Sequence, residues 1–235
     1  MPDVRAIASV DVRGGAPASR ETDLLAPWRP VDRIDALVLA GGSAFGLGTA
    51  HGVVEALAAR GLGHKTSGGN VPIVPAAAVF DLPFAGTDEN GIPHHPPVEA
   101  GVLAYAAATA TPEWGCVGAG RGATVGKQAG RVHASPGGIG AACLGLGPVQ
   151  LGAVAAVNAL GDVVDAAGTV VSGCRAGPEV PRSLTADRLM EGDADAVTPL
   201  ENTTLVALLT DAPLDKAGAF RIAIAGHDGL GRAIR

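Results

Sequence analysis

Apolar and polar positions change over in short runs along this chain, and the period within each run predicts its local structure. Val4 to Val12 carries an apolar stretch that stops at Arg13-Gly14-Gly15 and predicts a strand. Residues 34–40 (IDALVLA) are a short apolar run backed by Gly41-Gly42, the pattern of a buried strand followed by a sharp turn. From Phe45 to Arg60, residues Leu47, Val53, Val54, Leu57 and Ala58 recur at helical spacing, and Gly61 supplies the stop. The stretch 71–83 (VPIVPAAAVFDLP) holds too many prolines for a long helix and predicts an extended segment with a short helical turn. Residues 86–97 are a loop by their Gly and Pro content, and a helix is expected from Val98 to about Ala110.

Glycine density peaks between Gly115 and Gly147, with a strand-like piece at Gly130 to Ala134. Gln150 to Ala159 and Asp162 to Ala167, separated by Leu160-Gly161, predict a β-hairpin. Residues 172–200 are polar, acidic and turn-rich, a long connection of the kind that usually has a function. Thr203 to Thr210 (TTLVALLT) reads as an inner strand. Ala217, Phe220, Ile222, Ile224 and Ala225 suit the buried side of a final helix. Strands and helices intermix with hairpins, so the expected class is α/β in the broad α+β sense, layered and not purely parallel. No composition break or fixed-period repeat divides the 235 residues, which predicts one domain spanning 1–235.

Composition narrows the function classes. The chain is 47% apolar and 17% charged, with a net charge of −6, so it has the makings of a core and no basic run for phosphate backbones. With four Phe, two Trp and one Tyr, it also lacks a base-stacking surface. No uninterrupted apolar run approaches the roughly 18 residues of a membrane span. Cys116, Cys143 and Cys174 are odd in number, without CxxC spacing or a secretory leader, so reduced thiols acting as small hydrophobes and a cytoplasmic location are expected.

Several motifs invite chemistry and fail on spacing. GAGRGATVGK (118–127) has Arg121 where a phosphate loop needs Gly, and Gln128 where it needs Ser or Thr. The dinucleotide fingerprint fails as well, at Ala123. That leaves either a tight glycine turn or a loop presenting the Lys127 ammonium. GGSAFGLG (41–48) resembles a nucleophile elbow at Ser43, but Phe45 stands where the second Gly belongs. His94 and His95 lack ligand spacing to Asp88, Glu89 or Glu99, and His227 reads as a helix-surface residue, so no metal or organic cofactor is expected. The sharpest feature is Glu201-Asn202-Thr203, where a hydroxyl residue opens an apolar strand after a long polar connection. A cut between Asn202 and Thr203 would give Thr203 a free α-amine, whose pKa of about 7.7 to 8.0 suits it as base for its own hydroxyl. The bland alternative is an ordinary strand threonine.

Six blocks taken together resemble the L-aminopeptidase/D-esterase family, with its β-peptidyl aminopeptidases and nylon-oligomer hydrolases. They are VDVRGGAPASRETDLL (10–25), LVLAGGSAFGLG (37–48), VPIVPAAAVFDL (71–82), VGAGRGATVGK (117–127), LGAVAAVNALGDVV (151–164) and ENTTLVALLTDA (201–212). The resemblance implies an αββα layered sandwich of N-terminal-nucleophile type. It also implies self-cleavage into 1–202 and 203–235, and hydrolysis of N-terminal amides or esters of small peptides or amino-acid derivatives through an acyl-enzyme. Carried onto this chain, Asn202 supplies the carbonyl attacked in maturation, Thr203 the nucleophile, Lys127 the site lysine and Asn158 the oxyanion donor. A homo-oligomer is expected, with a small substrate and neither nucleic acid nor membrane as partner. The family pattern extends further at both ends, including an Asp-Gly-Asp strand after the helix matching HDGLGRAIR, so the sequence reads as shortened. Acyl transfer of the ornithine acetyltransferase type, or a non-catalytic binding or assembly subunit, are the alternatives.

Overall fold

The computed structural model describes residues 5–175 and 201–235. The chain opens with β1 (Ala6–Ile7), β2 (Ser19–Arg20) and a one-turn 3-10 helix at Asp23–Leu25. β3 (Arg33–Ile34) pairs antiparallel with β1, so of the expected strand 4–12 only two residues join a ladder. β4 (Val38–Ala40) leads into α1 (Ser43–Gly46) and α2 (Thr49–Ala58). The helix expected over 45–60 is thus two, interrupted at Leu47-Gly48, where the weak helix propensity of glycine lets the chain change direction.

β5 (His64–Thr66) and β6 (Gly69–Val71) form a small antiparallel pair, and β7 (Ala76–Ala78) lies between β2, antiparallel, and β4, parallel. A 3-10 turn at Leu82–Phe84 follows, then α3 (Val98–Ala107). α2 and α3 cross at backbone contact: a Cβ on Gly52 would lie 2.1 Å from the Val98 carbonyl oxygen, and one on Gly101 1.9 Å from that of Thr49. Ala36, Ala50, Val53, Leu57, Val74 and Ala76 make the buried cluster beneath these helices.

β8 (Thr124–Val125) pairs with β9 (Ser135–Pro136), and β10 (Gly138–Leu146) and β11 (Val149–Asn158) form a long antiparallel hairpin. β12 (Val163–Val164) pairs with β13 (Val170–Ser172). β14 (Thr203–Thr210) completes the antiparallel order β10-β11-β14, and α4 (Lys216–Ala233) ends the described structure. Two three-stranded and four two-stranded sheets with short helices make a mixed α/β fold among the described residues. A second cluster, Val79, Ala119 and Ala156 with Leu39, Ile139 and Leu205 against it, joins the long sheet to the first half.

Two expectations need correction here. β11 does not pair with residues 162–167; its partners are β10 and β14, and the hairpin turn is Gly147-Pro148, with Gly147 at φ +62. β10 (GIGAACLGL) is too rich in Gly and Ala to announce a strand by propensity. Residues 131–133 are a 3-10 turn and not strand, and the connection expected over 172–200 falls largely on 176–200, outside the described residues.

Candidate active site

Lys127 leaves the glycine-rich block on a backbone pinned to the end of β11. Its N–H donates to the Leu160 carbonyl at 2.7 Å, and that of Gly126 donates to Gly161 at 3.0 Å. Gly126 has φ +68, and a Cβ there would lie 2.1 Å from the Cys174 nitrogen, so only glycine fits. The Lys127 side chain then runs inward and is buried. Its Nζ donates to the Asn158 carbonyl (3.1 Å), to Asn158 Oδ1 (2.9 Å) and to Asn202 Oδ1 (3.1 Å). Three donors meet three acceptors, but all three are neutral, so nothing offsets the lost hydration with an opposite charge. Burial accordingly pushes the Lys127 pKa down to about 8, and the nearby Arg131 cation adds to the effect.

Asn158, the last residue of β11, is 1% exposed. Its Oδ1 also accepts from the Thr124 N–H at 3.0 Å, and its Nδ2 donates to the Phe80 carbonyl at 2.7 Å. These bonds fix which way the amide faces. The second Nδ2 hydrogen has no acceptor among the described residues and is the donor that a developing oxyanion could take. Across the ladder, Asn158 pairs with Thr203, the first residue of β14, and directly opposed residues share a sheet face. Asn202 stands one residue before, and Glu201 before that forms an ion pair with Arg131. The structure therefore brings Lys127, Asn158, Asn202 and Thr203 to one place, from three separate stretches of the chain.

With that geometry in view, comparison with known proteins is decisive: residues 2–235 match the sequence pattern of Peptidase family S58. The chain belongs to peptidase family S58. Within S58 it is 40% identical over 242 residues to a protein named as an uncharacterized aminopeptidase from Mycobacterium tuberculosis, covering 100% of this chain and 67% of the relative. A protein of the same description from Mycobacterium leprae is 41% identical, with 97% and 63% covered. A 6-aminohexanoate-oligomer endohydrolase of Paenarthrobacter ureafaciens is 31% identical over 231 residues, with 97% and 61% covered. The chain thus spans about two thirds of the length of these S58 relatives.

Asp81, the neighbour in sequence of the Phe80 whose carbonyl holds Asn158, is a structural contact that the sequence pattern does not announce. Its Oδ1 accepts from the Gly42 N–H at 2.6 Å. A Cβ on Gly41 would lie 2.6 Å from its Oδ2, and one on Gly122 2.7 Å. Two of the glycine motifs in this S58 chain thus close on one carboxylate, next to the Phe80 carbonyl that holds Asn158. The absence of a side chain at Gly41 and Gly122 was the available signal, but it does not say what fills the space.

Other motifs stay apart from this cluster. Ser43 sits at φ +53, and its N–H donates to the Val79 carbonyl at 2.9 Å, but its hydroxyl has no His or Asp partner among the described residues. His95 stacks on Phe45, with ring centroids 4.6 Å apart, and its Nδ1 lies 2.8 Å from the Pro93 carbonyl. His227 Nε2 lies 3.3 Å from Asp11 Oδ2. No group of three or more His, Cys, Asp or Glu residues able to hold a metal occurs among the described residues. The three cysteines are free, as reduced thiols would be; Cys116, in the loop before Gly118, and Cys143, within the edge strand β10, are exposed, and Cys174 is half-buried. No helix of the described residues is long and apolar enough to cross a membrane.

Proposed function

We propose that this S58 chain is a self-processing hydrolase with an N-terminal threonine nucleophile, acting on N-terminal amide or ester bonds of small peptides or amino-acid derivatives. The observation that carries the reading is the register of Thr203 against Asn158, with Lys127 bonded both to Asn158 and to the residue before Thr203. A hydroxyl, a fixed amide donor and a desolvated ammonium are the components of base-activated acyl transfer.

In maturation, Thr203 Oγ attacks the Asn202 carbonyl carbon, the Asn202–Thr203 C–N bond breaks, and the nitrogen takes the proton lost by the hydroxyl. Water then cleaves the ester, leaving an Asn202 carboxylate and a Thr203 with free hydroxyl and α-amine. In turnover the α-amine, with a pKa of about 7.7 to 8.0, removes the hydroxyl proton as Oγ attacks the substrate carbonyl. The proton passes to the leaving amine or alcohol, and water releases the acid. Asn158 Nδ2 donates to the oxyanion, and the positive potential of the Lys127 ammonium stabilises the negative charge on the deprotonated oxygen. The αββα arrangement, the division into 1–202 and 203–235, and assembly into a homo-oligomer belong to this same proposal. The names of the relatives support it: aminopeptidase for the mycobacterial proteins and oligomer endohydrolase for the Paenarthrobacter one.

Denaturing mass spectrometry tests the reading together with an aminoacyl-amide hydrolysis assay. The expected result is two masses that meet between Asn202 and Thr203, with both the cut and the hydrolysis absent in Thr203→Ala. An intact chain that hydrolyses amides would overturn it.

A further inference from the structure

The chain entering β14 is gripped by two cations that come from one short stretch. Lys127 Nζ holds Asn202 Oδ1, and the Arg131 guanidinium holds the Glu201 carboxylate, so two successive side chains ahead of Thr203 are each tied down. Arg131 opens the 3-10 turn Arg131–His133, and that turn is itself anchored. Gly130 N–H donates to the Lys127 carbonyl at 2.9 Å, Ala134 N–H to Arg131 at 3.1 Å, and Arg175 N–H to His133 at 2.7 Å. Both members of the Arg131–Glu201 pair are partly shielded from solvent, where an ion pair resists screening better than on an open surface. The influence of Arg131 on the Lys127 ammonium places the two cations in one electrostatic neighbourhood.

We propose that Arg131 is a positioning residue for self-cleavage: by holding Glu201 it fixes the Asn202–Thr203 peptide bond in register with Lys127 and Asn158. The inference rests on the self-processing reading above. Attack by Oγ on the preceding carbonyl demands one narrow geometry, and restraining the two residues on the acyl side removes the rotations that would spoil it. After the cut, Glu201 and Thr203 are on different fragments, so the pair no longer constrains the nucleophile. The role is confined to maturation.

The test follows the cut by denaturing mass spectrometry in freshly purified Arg131→Gln, Glu201→Gln, the double variant and Arg131→Lys. Each single Gln variant is expected to slow processing on the order of tenfold, as for loss of an ion pair that orients the scissile bond. The double variant should be no slower than the singles, because both remove one interaction, and Arg131→Lys should keep most of the wild-type rate. Activity per cleaved chain should match wild type in Glu201→Gln. Wild-type processing in the single variants, or additive slowing in the double, overturns the role of Arg131 while leaving self-processing intact. An uncut wild-type chain, or a cut that survives Thr203→Ala, overturns both.

Discussion

Asn158 and Thr203 are direct partners across the β11–β14 ladder, the last residue of one strand against the first of the other. A slip of one residue would send Thr203 to the opposite face of the sheet. The backbone register of the long sheet, from Leu151↔Thr210 to Asn158↔Thr203, therefore aims the hydroxyl. Thr203→Ser keeps that hydroxyl and the register, and we expect it to retain processing and hydrolysis. A Ser variant that stays uncut while folding normally would show that the methyl group, and not the hydroxyl alone, is required.

In the proposed mechanism Asn158 has a catalytic role beside its structural one, so its loss should register twice. In Asn158→Ala the Thr124 N–H and the Phe80 carbonyl lose their partner in a buried place, which costs about 1 to 3 kcal/mol of stability for each group. Loss of the oxyanion donor should separately lower kcat by about 10²- to 10³-fold. Urea unfolding and steady-state kinetics on the folded fraction separate the two effects.

Lys127 should make stability and activity diverge with pH. Its pKa in the folded chain is about 8 against an ordinary 10.5, so the unfolded chain holds that proton more tightly. Between these two values the unfolded state binds more protons, and stability rises with pH through that window. In the proposed mechanism turnover uses the ammonium, and its contribution should fall as pH passes about 8. Urea midpoints measured from pH 7 upward should climb in wild type and climb less in Lys127→Met, where the lowered pKa of Lys216 still contributes; that variant should also lack activity at every pH.

Gly126 tolerates no side chain. Gly126→Ala combines a positive φ of +68 with a Cβ 2.1 Å from the Cys174 nitrogen, and both belong to backbone that carries Lys127. We expect a loss of more than about 2 kcal/mol in stability, seen as a lower thermal midpoint, together with reduced activity. Gly130→Ala is the contrast. It shares a positive φ of +94 but has open space around the added Cβ, and it should cost less.

Lys216 ties the two proposed fragments together. Its buried Nζ donates to the carbonyls of Leu24 (2.7 Å), Arg29 (3.0 Å) and Val31 (2.6 Å), linking the start of α4 to the loop after β2. Lys216→Met leaves those carbonyls short of a donor and should destabilise the chain by about 2 kcal/mol or more. The loss should be larger in cleaved protein than in Thr203→Ala, because only the cleaved form can shed residues 203–235. Size exclusion in moderate urea reads this directly.

Elements with a strong local signal are legible in the sequence alone. The TTLVALLT strand begins at Thr203 and ends at Thr210, and the final helix and the helix after Pro97 lie where periodicity and punctuation put them. β10 is invisible to local pattern because Gly and Ala carry little strand propensity, so the sequence offers β11 residues 162–167 as a partner in place of β10. Local pattern marks Thr203, a hydroxyl residue opening an apolar strand, and leaves Lys127 as one of two readings of a glycine loop, whereas the roles of Lys127 and Asn158 come only from the family resemblance.

The sequence by itself determined the local elements whose side chains state a period, and the chemical character of the Asn202-Thr203 junction. Hydrophobic patterning reports whether a residue is buried, and that is decided within a few neighbours. Only the tertiary structure decided that Lys127 meets Asn158 and Asn202, 31 and 75 residues away, and that Asp81 is the group against which the glycines close. Those contacts depend on the path of the chain between distant residues, and glycines reveal where backbone approaches closely without naming what approaches.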